Sequence, residues 1–187
     1  MRAGRKAGIT AKMNALLEPE IIAALYDASQ AGVKISLIVR GVCALRPGIP
    51  GLSETIKVRS IIGRFLEHNR IFYFRSTGAV YLSSADWMDR NFFRRIEVCF
   101  PVLDRKLRKR VIQEGLKSYL EDNVQAWEMD ADGKYHRRDP GKNKPHAAQP
   151  ALIAALAGKA PLPEAAAALI ARNGRRGANG KKTKAAA

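Results

Sequence analysis

His68–Val98, HNRIFYFRSTGAVYLSSADWMDRNFFRRIEV, decides how this chain is read. Two short β-rich runs, Ile71 to Phe74 and Val80 to Ser83, flank Ser76-Thr77-Gly78 and predict a hairpin. A histidine precedes the first strand, a hydroxyl-rich turn follows the second, and Arg90, Arg94 and Arg95 come soon after. His68 and Arg70 fall on one side of an extended chain, because strand side chains alternate with period two. Fixed cations beside a group that exchanges a proton near neutral pH are what chemistry on phosphate requires.

Working outward, Glu18-Pro19-Glu20 opens a helix, with proline in its first turn and carboxylates at the positive end of the dipole. Ile21, Ile22, Leu25 and Tyr26 recur at helical spacing, and Gly32 supplies the stop. Val33 to Val39 is a buried strand, so helix and strand together predict an α/β layer. Arg40 ends that strand, at the edge where open α/β sheets hold ligands. Lys12-Met13-Asn14 closes a short strand, RPGIPG at 46–51 is a stiff loop, and Ile56 to Ile62 is strand-like. Arg64 to Glu67 suggests a brief helical turn. Arg95 to Val102 suggests a strand, Asp104 to about Glu121 a helix, and Val124 to Trp127 an edge strand.

The 187 residues carry a formal net charge of +16, which favours polyanionic partners. Cys43 and Cys99 lack metal-ligand spacing and read as buried free thiols in a reducing compartment. No apolar run has the length of a membrane span, and MRAGRKAGIT lacks a signal's apolar core. A cytoplasmic location is expected, with peripheral contact at the inner membrane face left open. Residues 1–9 read as a flexible lead-in and 10–138 as the ordered unit. Residues 139–187 read as a disordered, Ala-, Lys-, Gly- and Pro-rich tail, with nine Lys or Arg and one acid from Gly141 onward.

Each candidate has a plainer reading. A lone histidine is more often structural, Ser83-Ser84-Ala85-Asp86 alone is an ordinary Asx or ST turn, and clustered arginines usually form a solvated face. Arg40 stands apart, since a long cation ending an apolar strand calls for an anion, and a guanidinium suits phosphate oxygens.

LIVRGVCALRPGIPGLSETIKVRSIIGRFLEHNRIFYF, with VYLSSADWMDRNFFRRIEV after it and KMNALLEPEIIAALYDASQAGVKISL before it, closely resembles the last domain of bacterial polyphosphate kinases. The resemblance runs from about Ile9 to Glu128. It implies a phospholipase-D-like α/β fold, a mixed sheet flanked by helices, in which the family's last two domains each supply part of one site. The implied reaction is reversible transfer of the ATP γ-phosphate to polyphosphate with Mg²⁺, whose ligands are expected outside this chain. Arg40 and His68 match the family's nucleotide- or phosphate-contacting arginine and second histidine, and His68 is the candidate for moving a proton. Arg70, Ser84, Arg90 and Arg95 are further candidate phosphate contacts.

The wider superfamily's His-x-Lys and Gly-Ser-x-Asn appear here as His68-Asn69-Arg70 and Ser83-Ser84-Ala85-Asp86, which argues against simple phosphodiester hydrolysis. The phosphoryl-carrying histidine of the family belongs to the preceding domain, and His136 and His146 do not resemble it. The chain is therefore expected to be a truncated kinase, a split subunit or a gene remnant, with little turnover alone. Its expected partners are ATP or ADP, polyphosphate, and either a separate chain supplying the missing domains or a homo-oligomer, with no specific nucleic acid. Two other classes stay open: a dimeric phospholipase-D-like phosphodiesterase or nuclease, and a non-enzymatic polyanion binder acting through its tail.

Overall fold

The computed structural model describes residues 7–157. Its centre is a parallel trio. The strand β1 (Gly8–Met13) pairs with β2 (Lys34–Val39), and β2 pairs with β3 (Ile56–Ile61). Between β1 and β2 runs α1 (Pro19–Gln30), whose first turn is closed by the Glu18 carboxylate accepting from the Ile21 N–H at 2.6 Å. This crossover brings the C-terminal ends of β1 and β2 to one edge of the sheet, with Asn14 and Arg40 side by side.

Antiparallel strands extend both flanks. The predicted hairpin is β4 (Arg70–Phe74) and β5 (Ala79–Ser83), β6 (Cys99–Pro101) lies outside it, and β7 (Ala126–Met129) and β8 (Tyr135–Arg137) extend the other flank. The order is β6-β5-β4-β1-β2-β3-β7-β8, a mixed sheet as expected. Alternation divides the core. Ile35, Leu37 and Val39 of β2 face α1, whereas Ile38 packs with Ile61, Ile71, Leu116 and Tyr119 on the opposite face.

Several expectations change. The lead-in stops short of residue 9, because Gly8 already pairs within β1 and its carbonyl accepts from the Arg75 N–H at 2.8 Å. Residues 64–67 form no helical turn. The strand expected over Arg95 to Val102 narrows to β6, and α2 (Asp89–Phe93) precedes it. The strand near Val124 is not an edge, since β8 covers it. Both thiols are free, but Cys43 is only half-buried and Cys99 is exposed. Burial nevertheless pushes the Cys43 thiol up to about 11.

The helix begun by Asp104 is α3 (Arg105–Arg110), a π-helical stretch (Val111–Lys117) and α4 (Ser118–Glu121) in one continuous run. Gly115 lies in the π stretch, where a β-carbon would meet Ile71 Cδ1 at 2.3 Å, so the helix crosses the sheet closely there.

The expected tail also begins too early. Residues 148–156 form α5 (Ala148–Leu156), with Ala148 and Gln149 buried. The physical reason is Asp122, fully buried, whose carboxylate accepts from the N–H groups of Val124, Gln125 and Ala148 at 2.7–3.0 Å and so caps the new helix from 26 residues upstream. The remainder of that expected tail, 158–187, lies outside the described residues. No described helix is long and apolar enough to cross a membrane.

Relative to a chain ending at Ala157, one ending at His146 should lose about 2 kcal/mol by urea unfolding, because the buried Ala148 and Gln149 and their hydrogen bonds to Asp122 and Glu67 are removed. Equal midpoints would show that α5 adds nothing to the fold.

Candidate functional site

A cleft of about 560 Å³ opens at the sheet edge where β1 and β2 end, β4 begins and β5 ends. Every sequence-predicted site residue lines it: Arg40, His68, Arg70, Ser84, Arg90 and Arg95. Asn14, Asp86 and Glu97 join them.

Arg70 organises the cleft. Its Nε and Nη2 donate to Asp86 Oδ1 and Oδ2 at 3.1 and 2.8 Å, a two-pronged pairing of planar groups. Its Nη1 lies 3.0 Å from His68 Nδ1 and donates to the His68 carbonyl at 3.0 Å. A guanidinium can only donate, so Nδ1 is the acceptor and a neutral His68 ring carries its proton on Nε2. Most of Arg70's donors are therefore committed within the protein.

Asp86, seen from sequence as a turn residue, is the hub beneath. Oδ1 also accepts from the N–H groups of Asn14 at 2.7 Å and Ala15 at 3.4 Å. Burial by itself would raise this carboxyl, but the Arg70 guanidinium and the Asn14 N–H outweigh it and hold Asp86 below the ordinary carboxylate range. So saturated a carboxylate is a structural anchor. The missed signal was nonlocal, since Asn14 lies 72 residues away in sequence.

Ser84 lines the cleft, but its hydroxyl donates to Glu97 and accepts from the Val98 N–H at 2.9 Å. Asn91 donates to the other Glu97 oxygen. These two hydrogen bonds, with Ser84's the larger influence, hold Glu97 below its ordinary value. Ser84, expected as a phosphate contact, thus lines the cleft with its hydroxyl proton engaged by Glu97. Arg40, Arg90 and Arg95 form no ion pair among the described residues. The cleft holds four guanidinium groups against two engaged carboxylates. His136 and His146 do not line it. The former pairs with Asp130 at 2.6 Å, and the latter contacts Ser118 and Asn123.

Behind His68, the preceding residue is tied into the core. Glu67 accepts from Lys12 Nζ at 2.7 Å, Gln149 Nε2 at 2.6 Å and the Tyr119 hydroxyl at 3.2 Å. The Lys12 ammonium, 2% exposed, also sits 3.2 Å from the Tyr119 ring centroid. Burial brings its pKa down to about 8 against the pull of Glu67. Gln149 accepts from the Phe65 N–H at 2.9 Å and donates to the Phe65 carbonyl at 2.8 Å. That pairing takes both backbone groups of Phe65, which explains why 64–67 does not coil into a turn. Gly63 leaves room for it, since a β-carbon there would meet Gln149 Oε1 at 2.4 Å.

Comparison with known proteins gives a consistent picture. A family model described as polyphosphate kinase C-terminal domain 2 matches residues 1–149. The polyphosphate kinase of Burkholderia lata is 70% identical over 143 residues, 75% of this chain and 21% of the relative. That of Paraburkholderia phytofirmans is 68% identical over 148 residues, 78% of this chain and 22% of the relative. The chain thus spans about a fifth of the length of the curated relatives it matches. The crystal structure of polyphosphate kinase from Porphyromonas gingivalis superimposes with a TM-score of 0.80 at 41% identity, over 84% of this chain and 24% of that one. A phospholipase D family member, Nuc from Salmonella typhimurium, matches at TM-score 0.50 and 14% identity over 68% of this chain and 84% of its own, a likeness of fold.

Asp86→Asn should destabilise the fold by about 3 kcal/mol at pH 7, because it breaks a buried ion pair. Asp86 titrates below its ordinary 3.8 when folded, so its contribution is complete above that value and is lost as the pH falls through the lower folded one. Acid unfolding curves of the two proteins should therefore converge below about pH 4, and parallel curves would refute the role. Gln149→Ala should cost about 2 kcal/mol and broaden the His68 ring signals in NMR spectra while leaving those of His136 sharp. Sharp His68 signals would show that α5 does not steady this histidine.

Proposed function

Because the chain belongs to the polyphosphate kinase C-terminal domain 2 family, we propose that it forms one half of a polyphosphate kinase site, where the γ-phosphate of ATP passes reversibly to polyphosphate. The observation that carries this reading is His68, fixed by the Arg70–Asp86 pair beside Arg40, Arg90 and Arg95, which have no ion-pair partner among the described residues. Phosphoryl transfer spreads negative charge over the transferred group's oxygens, and fixed cations lower that cost without reorganising. Arg40 and His68 contact the nucleotide or polyphosphate, and Arg90 and Arg95 extend the cationic wall. His68 presents Nε2–H as a donor to a phosphate oxygen. To move a proton during transfer, it must first release Nδ1 from Arg70.

The histidine that receives the phosphoryl group belongs to the part of the kinase outside this chain, so the substrates meet a complete site only when that part is present. Mg²⁺ would screen the phosphate oxygens. Its protein ligands are proposed to come from that same part, because Asp86 and Glu97 are engaged by Arg70, Asn14, Ser84 and Asn91. A stand-alone phosphodiesterase is disfavoured by the same hydrogen bond that orients His68. A nucleophilic imidazole needs its lone pair on the attacking nitrogen, whereas here the accepting nitrogen is occupied by a guanidinium.

In a chain ending at Ala157, which removes much of the basic composition beyond α5, Arg40→Ala and His68→Ala should each weaken polyphosphate binding about tenfold by calorimetry. Unchanged affinity in both would overturn the site. With ATP and Mg²⁺, or ADP and polyphosphate, the chain alone should show no turnover. Turnover lost in His68→Ala would instead mean that copies of this chain complete the site.

A further inference from the structure

Lys12 is a charge buried where the sheet calls for an apolar side chain. Its cross-strand neighbours are Ile38 on β2 and Ile71 on β4, which pack on the sheet face opposite α1. Ala11 and Met13, on either side of it, are buried on the α1 face. The ammonium is withdrawn from water and does not line the cleft. Stability does not explain it. A buried ion pair gains little over an apolar pair of the same volume, because each ion first loses its water.

What the charge holds is the residue before His68. The ladder between β1 and β4 ends at Lys12 and Ile71, before it reaches His68, so strand pairing with β1 does not place the histidine. Side chains take over at that point. Lys12 Nζ donates to Glu67 Oε2 at 2.7 Å and lies over the Tyr119 ring, whose hydroxyl donates to Glu67 Oε1. Two residues along, the Asn14 side-chain amide lies 3.2 and 3.4 Å from Asp86 Oδ1 and Oδ2, beside the bond from its own backbone N–H. Asp86 holds Arg70, and Arg70 holds the imidazole. The two carboxylates that support His68 are thus both gripped from the end of one strand, by Lys12 and by Asn14.

We propose that Lys12 is a positioning residue for His68: through Glu67 it fixes the backbone that carries the imidazole, while Asn14, through Asp86 and Arg70, fixes the ring. This rests on reading the cleft as a phosphoryl-transfer half-site. The test follows the His68 ring by NMR in the full chain, with tripolyphosphate as the probe. Binding is then read at the cleft and not at basic residues elsewhere. Lys12→Met with Glu67→Gln removes both charges together and should still melt cooperatively, since no ion is left buried alone. Its His68 signals should broaden, and the affinity read from them should weaken about fivefold.

A second measurement needs no variant and decides the matter if the double variant does not fold. Lys12, brought down to about 8 by burial, is held as an ammonium below that pH and released above it. The titratable groups facing it are Glu67 and Tyr119, and burial pushes the Tyr119 hydroxyl up, so it keeps its proton in this range. Gln149 does not titrate. In the wild type the His68 signals should therefore step together with the Lys12 Cε signal as the pH passes about 8. His68 signals that stay sharp in a folded double variant overturn the proposal, as do wild-type signals that ignore the Lys12 titration. Wild-type signals unmoved by tripolyphosphate would refute the half-site itself, and with it any part for Lys12 in the reaction, whatever the pH series gives.

Discussion

The cleft depends on one ion pair. Arg70 and Asp86 come from opposite ends of the hairpin, and Asp86 also grips the backbone just after β1. One carboxylate thus pins three chain segments at a single sheet edge. The guanidinium uses its remaining reach to hold the His68 ring. A lysine in that place would offer a single compact charge, without the planar fork that engages carboxylate and imidazole together. The cost of burying the pair is offset because nearly every lone pair of Asp86 has a donor, the condition under which buried ions are tolerated.

Much of this was legible in residues whose partners lie close in sequence. The hairpin showed itself through β-branched and aromatic alternation around Ser76-Thr77-Gly78, and α1 through Glu18-Pro19 and its apolar spacing. Arg40 and His68 stood out because their types are unusual at strand ends. What stayed hidden was nonlocal. Asp86 looks like any turn residue until Asn14 is placed against it, and Glu67 looks like helix until Lys12, Tyr119 and Gln149 converge on it. Composition misled most at α5, where an Ala-rich segment after a Gly, Lys and Pro run is ordered by one buried carboxylate. The same nonlocality accounts for α2 and β8, whose sequences carry no strong periodic signal.

The cleft is not uniformly basic. Glu97 sits among the arginines, held by Ser84 and Asn91 rather than by a cation. A carboxylate there moderates the positive field of the cleft. On the proposed reading of the cleft, tight capture of a polyanion and its stepwise passage would make opposing demands, and a mixed wall would serve the second.

The link from α5 to the histidine has a mechanical meaning. Gln149 grips both peptide groups of Phe65 and the carboxylate of Glu67, and His68 is the next residue along. Tension applied to the chain beyond α5 therefore has a short load path to the imidazole, through side-chain amide bonds instead of through the sheet. Whatever is tethered at that end holds a lever on the cleft.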